Sequence, residues 1–134
     1  MRNRLVIVFA ALVGLVATVP LAAHHTASTL YLEKTVTIKG IVKVWRWTNP
    51  HCLLTVDVKG ADGQVVEWLA ETQAPNTAMT QGYRAKSFKA GDEVTLTLRP
   101  AANGKPFGLL DKAILADGTE VGAEEGARGR GAAQ

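Results

Sequence analysis

From Val36 the side chains alternate, Val36-Thr37-Ile38-Lys39, with the period of two that marks a half-buried strand. Gly40 interrupts the alternation, and apolar residues then fall on both parities through Ile41, Val42, Val44, Trp45 and Trp47. A glycine in such a run predicts a bulge or bend, which lets one strand serve two sides of a barrel. Thr48-Asn49-Pro50 predicts a turn. A second strand follows, with Cys52, Leu54, Val56 and Val58 on one face and His51, Leu53, Thr55 and Asp57 on the other. Gly60 and Asp62-Gly63 predict a hairpin loop into a third strand, Val65 to Glu71, where Val66, Trp68 and Ala70 share a face.

The strand period fails from Ala74 to Gln81. Pro75 suits a first helical turn and Gly82 the position just past a helix end, so a short helix is predicted there. Ala90-Gly91-Asp92 turns into a fourth strand, in which Val94, Leu96 and Leu98 alternate with Thr95, Thr97 and Arg99. Asn103-Gly104 turns into a fifth, Phe107 to Leu115, closed by Asp117-Gly118. No internal repeat is present. The expected class is mainly β. Five strands with one helix between the third and fourth follow the order of a small OB-like Greek-key barrel, with another small barrel or a sandwich as the alternative.

The ends of the chain carry different signals. Arg2 and Arg4 precede an uncharged apolar run from Leu5 to Val19, followed by Pro20 and the small residues Ala22-Ala23. This reads as a cleavable secretory signal over residues 1–23, with an uncleaved membrane anchor as the alternative. The expected domain is 24–121. Residues 122–134 hold no large apolar side chain and are expected to form a disordered tail.

Removing the signal changes the charge argument. The 134-residue chain has 15 Lys+Arg against 12 Asp+Glu, and two of the basic residues leave with the signal. The mature net charge falls to about +1, with no basic stripe to hold a nucleic-acid backbone. Cys52 is the only cysteine, so no disulfide can form within the chain. A periplasmic or secreted protein is expected, touching the membrane only through its signal peptide before cleavage.

Four marks together resemble a known family: His24-His25 after the signal, Trp47-Thr48-Asn49-Pro50-His51, Asp62-Gly63 with Trp68 beyond it, and Gly91-Asp92-Glu93-Val94. They resemble a family of small exported bacterial proteins classed as a domain of unknown function, over about His24 to Val121. The resemblance implies a bacterial, periplasmic protein and supplies no activity. Where that family's pattern continues from the paired histidines into Ser and an aromatic residue, this chain has Thr26 and Ala27.

The chain's three histidines are His24, His25 and His51. Cleavage after Ala23 would place the α-amine and imidazole of His24 on one residue. Cleavage after Ala22 would put His25 third, where amine, amides and imidazole can wrap Cu(II) in a square plane. His51 completes such a site if the N-terminal segment folds back; otherwise the pair is a solvated start with idle imidazoles. Cys52, on the opposite face from His51, reads as a small buried residue. Trp45, Trp47, Asn49 and His51 form a second candidate, a ligand-binding end of the barrel, with core packing as the alternative for the tryptophans.

No nucleophile elbow, zinc-protease helix, phosphate loop or dinucleotide fingerprint occurs. Asp57, Glu67 and Glu71 on neighbouring strands leave a hydrolase as a minor alternative. The expectation is a non-catalytic binding module for a small ligand, a metal ion or another periplasmic protein, without nucleic acid. Copper binding through His24, His25 and His51 is the alternative, and a structural or partner-binding subunit a second one.

Overall fold

The computed structural model describes residues 30–122. The signal segment, the His24-His25 pair and residues 123–134 lie outside the described residues.

Strand β1 (Val36–Arg46) is followed by β2 (Leu53–Lys59), β3 (Val65–Glu71), helix α1 (Pro75–Thr80), β4 (Glu93–Pro100), β5 (Phe107–Ile114) and a short β6 (Glu120–Gly122). The ladder order is β3-β2-β1-β4-β5-β6, and a parallel pairing of β3 with β5 closes it. That closure rests on Leu69 with Phe107, Ala70 with Gly108 and Glu71 with Leu109. The result is the expected five-stranded OB-like barrel, with its helix between β3 and β4.

β1 joins both halves of the barrel. Its first part, Val36 to Ile41, pairs with β4, and its second, Ile41 to Arg46, pairs with β2. The irregularity that the sequence predicts at Gly40 lies instead at Lys43, as a bulge between Val42 and Val44. Gly40 has a different role. A Cβ there would lie 2.9 Å from the Asp57 carbonyl oxygen and 3.1 Å from the Val56 Cβ, so glycine permits the close approach of β2.

The extra residue at Lys43 shifts the alternation by one. Val42 is buried and Val44 is exposed, and Trp45 and Trp47 then return to the inner side, packed against the core. Leu54 and Val56 from β2, Ala70 from β3, Leu96 and Leu98 from β4, and Leu110 and Ala113 from β5 fill the barrel. Each is almost solvent-free, and burying a Leu or Val contributes ~1.5–3 kcal/mol.

α1 closes one end. Pro75 occupies its first turn, Ala78 is buried, and Gly82 follows at φ +90. The Tyr83 N–H then returns to the Ala78 carbonyl, and the Tyr83 ring is fully buried. β6 was not expected from the sequence. Its three residues, Glu-Val-Gly, are too few to show an alternation, yet Val121 is buried opposite Ala113.

Candidate functional site

The β1–β2 connection, residues 47–52, positions the only described histidine. It contains a cis Asn49-Pro50 peptide, and its end is pinned to the residues after β3. The Cys52 N–H donates to the Gln73 carbonyl at 3.1 Å, and the Thr72 N–H donates to the Cys52 carbonyl at 3.0 Å. The β2–β3 ladder, in which Leu53 faces Glu71, is thereby prolonged past both strand ends. His51 shares the outward parity of Leu53 and reaches Glu71 across the ladder.

Nδ1 of His51 lies 2.8 Å from Glu71 Oε1 and 3.1 Å from the Thr72 carbonyl oxygen. A backbone carbonyl can only accept, so Nδ1 carries the proton in this arrangement. A singly protonated ring in this arrangement has its lone pair on Nε2. The His51 side chain is 44% exposed and that of Glu71 21%, so the ring is held from one side and open on the other.

Tyr31 completes the network. Its hydroxyl donates to Glu71 Oε2 at 3.2 Å, and its ring packs on Phe107 with centroids 5.5 Å apart. The backbone around it is fixed by an antiparallel bridge between Tyr31 and Ala101. The Leu32 N–H donates to the Pro100 carbonyl, and the Ala102 N–H donates to the Leu30 carbonyl, both at 2.9 Å. Partial burial, then the charge and hydrogen bond of Glu71, push the Tyr31 phenol up from 10.0 to about 12, against an opposing pull from Arg99.

The tryptophans have a different setting. Trp45 lies edge-on to Phe88 at 4.9 Å and beside Trp47 at 5.7 Å and Tyr83 at 6.3 Å. Its indole N–H donates to the Arg84 carbonyl at 3.0 Å. Trp45 and Trp47 thus belong to an aromatic cluster on the core, while His51 faces outward. Asn49 is exposed in the loop between them. The candidate residues share one end of the barrel but divide between its inner and outer sides.

Cys52 is fully buried, and burial pushes its thiol up, partly offset by a weak contact to the Thr48 carbonyl. Of the three strand carboxylates, Glu67 and Asp57 face Lys43, at 2.6 and 3.7 Å, and Glu71 alone reaches the histidine. Among the described residues no group of three or more His, Cys, Asp or Glu side chains could hold a metal ion. His24 and His25 lie outside those residues.

Tyr31 and Glu71 were not singled out as partners of His51 from sequence. The hairpin register could have suggested Glu71, because β2 and β3 flank a short loop and Leu53 faces Glu71. Tyr31 carries no such signal, since its position depends on a bridge to a residue 70 places away.

The chain matches a family of unknown function (DUF6152) over residues 12–111. It belongs to that family. The match includes the His24-His25 pair as well as Tyr31, His51 and Glu71. No curated protein matches the chain. Among solved structures, a mitochondrial single-stranded DNA binding protein from S. cerevisiae, Rim1, is similar in backbone. It has a TM-score of 0.47 and 11% sequence identity, over 61% of this chain and 92% of that one.

Proposed function

We propose that this family member is a non-catalytic binding module exported to the periplasm, and that its working surface is the barrel end formed by the β1–β2 loop. The observation that supports this most is the imidazole of His51, held through Nδ1 by the Thr72 carbonyl beside the Glu71 carboxylate and 44% exposed. A polar group held so firmly from behind is suited to meet a ligand in front. The location agrees with general OB architecture, in which ligands meet the face of strands two and three and the loops after strands one and four. Here Tyr31 is bridged to the loop after β4 and hydrogen-bonded to the end of β3. Asn49 and the exposed edge of Trp47 would extend the surface around the loop.

The His51–Glu71 pair also favours a second reading, a periplasmic copper-binding protein. A metal-ligating histidine usually donates its other ring N–H to a carboxylate or backbone carbonyl, and Nδ1 of His51 has the Thr72 carbonyl as such a partner, with the Glu71 carboxylate close beside it. His24 and His25 would supply further nitrogen ligands. They precede Tyr31 by only seven and six residues. At ~3.3–3.6 Å per extended residue that segment can reach ~20–25 Å, ample for return to His51 from the anchored tyrosine.

One titration separates the readings. The exported, processed protein is titrated with Cu(II) while its visible d–d absorption is followed. The copper reading predicts a saturable band that weakens in both His24→Ala and His51→Ala. A protein that develops no band returns the site to the first reading, an organic ligand or partner protein at the same surface.

A further inference from the structure

We propose that this chain associates with a second copy of itself through the free edge of β3, the two edges pairing antiparallel about a two-fold axis at Val66. This edge lies at the end of β3 remote from His51, so its pairing goes beyond the binding reading above and does not rest on it.

The barrel closes along only part of β3. Leu69, Ala70 and Glu71 pair with β5, and the Leu69 N–H donates to the Pro106 carbonyl at 3.0 Å. Before Val65 lies the hairpin loop, where Gly63 takes φ +81 and the Gly60 N–H donates to the Gln64 carbonyl at 2.7 Å. Between these limits, Val65 to Trp68 pair with β2 on one side, and among the described residues no strand pairs with them on the other.

In an antiparallel ladder each residue turns its N–H and C=O together, toward one neighbour or away from it, in alternation. The bonds from Gly60 to Gln64 and from Thr72 to Cys52 turn the even-numbered residues of β3 toward β2. Val65 and Glu67 therefore direct both backbone groups at the open edge. Such edges are usually blunted by lysine, proline or a bulge. Here the β2–β3 register runs unbroken, Val65 is 60% exposed and Val66 43%, and Glu67 is turned back across β2 toward Lys43 at 2.6 Å.

This edge is complementary to itself. With the axis at Val66, Val65 of each copy faces Glu67 of the other, and each such pair exchanges N–H and C=O in both directions. Val66 meets its counterpart in a non-hydrogen-bonded pair, with Cα atoms ~4.5 Å apart and side chains in contact. An axis at Glu67 would set two carboxylates opposite each other and call on the Leu69 N–H already given to Pro106. An axis at Val65 would draw in Gly63 from the loop. Charge agrees with the Val66 register. Lys59 follows Val65 across the sheet, two strand spacings or ~9.5 Å from Glu67 of the other copy, so opposite charges meet over Val65.

A strand pair this short buries less than the ~800 Å² a side of a standard interface, so the association is reversible and concentration-dependent. At ~3.4 Å per residue Glu71 lies ~17 Å along β3 from the axis, which leaves the β1–β2 loop uncovered in both copies.

The test follows the full chain, expressed with its native leader, by sedimentation velocity over a rising concentration series. The mass should move from one chain toward two. Val66→Lys sets two charges against each other on the axis. Val65→Pro removes an edge donor and spares the bonds to β2. Each should hold the protein at one chain, with its far-ultraviolet circular dichroism unchanged. Under oxidation Val66→Cys should cross-link as a dimer, because the Cα separation on the axis is within disulfide reach. Val65→Cys should not, because its two copies lie beyond the ~7 Å limit. Cys52 is fully buried and does not compete.

A wild type that keeps one chain's mass at every concentration would overturn the proposal and leave the edge to a strand of another protein. So would a dimer that survives both Val65→Pro and Val66→Lys, since its interface would lie elsewhere. Cross-linking of Val65→Cys as readily as Val66→Cys would contradict the register and with it the axis at Val66.

Discussion

At the scale of single residues, one phenol reports on the network around His51. The Tyr31 hydroxyl donates to a carboxylate and is partly shielded from water, and both effects disfavour its anion. Spectrophotometric titration should show one tyrosine ionising at about 12, above the usual 10.0. Tyr31→Phe should remove that late step. The sign of the linked stability follows directly. The folded-state value is raised, so the contribution is fully present below pH 10 and is lost as pH rises towards about 12. An alkaline unfolding series on wild type and Tyr31→Phe checks this, since the variant should lose less stability across that window. A Tyr31 that ionises at its ordinary value would mean the bond to Glu71 does not persist in solution.

At the scale of elements, β1 is the strand that joins the two halves of the barrel, because it pairs with β4 in its first half and β2 in its second. Gly40 sits at the change of partner. Its neighbours include the Asp57 carbonyl oxygen, which belongs to the ladder and cannot move without disturbing it. Gly40→Ala should therefore destabilise the fold by ~1–3 kcal/mol, the usual range for overpacking a filled interior. Urea denaturation gives that value as a lower midpoint with an unchanged slope. A midpoint equal to wild type would show that the two strands can separate cheaply there. The Lys43 bulge has a separate consequence. It carries Trp45 to the inner side, where the indole N–H bonds the Arg84 carbonyl and the ring meets Phe88. Parity counted straight through the strand would have set Val42 and Val44 on one face. The bulge makes one buried and the other 42% exposed.

At the scale of the whole molecule, export and partner choice are the matters to test. Bacterial expression with the native leader should place the protein in the periplasmic fraction, with N-terminal sequencing starting at Ala23 or His24. Recovery in the cytoplasm at full length would contradict the exported reading. Across the described residues, 11 basic side chains face 10 acidic ones, and the outward β1–β3 face mixes Lys43 with Asp57 and Glu67. Such a surface has little to offer a phosphate backbone. Fluorescence anisotropy with a single-stranded oligonucleotide at low salt should therefore show no appreciable binding. Tight, salt-sensitive binding would reverse the expectation.

Much of this architecture was legible before any coordinates, because it follows from local rules. Alternation in β2 and β4 assigned their inner faces, since successive side chains on a strand must point opposite ways. Pro75 and Gly82 bracketed α1 because one presets a helical φ and the other accepts a positive one. Asp62-Gly63 marked the β2–β3 hairpin for the same kind of reason. What the tertiary structure alone decided is set by contacts between distant parts of the chain. The position of the bulge depends on how β1 must divide between two partners. β6 exists because three residues find an open edge of β5. Tyr31, Glu71 and His51 meet because barrel closure brings the start of the domain, the end of β3 and the first loop to one place. No local pattern encodes that meeting, since each residue alone is compatible with an ordinary exposed strand or loop, and only the closed ladder makes them neighbours.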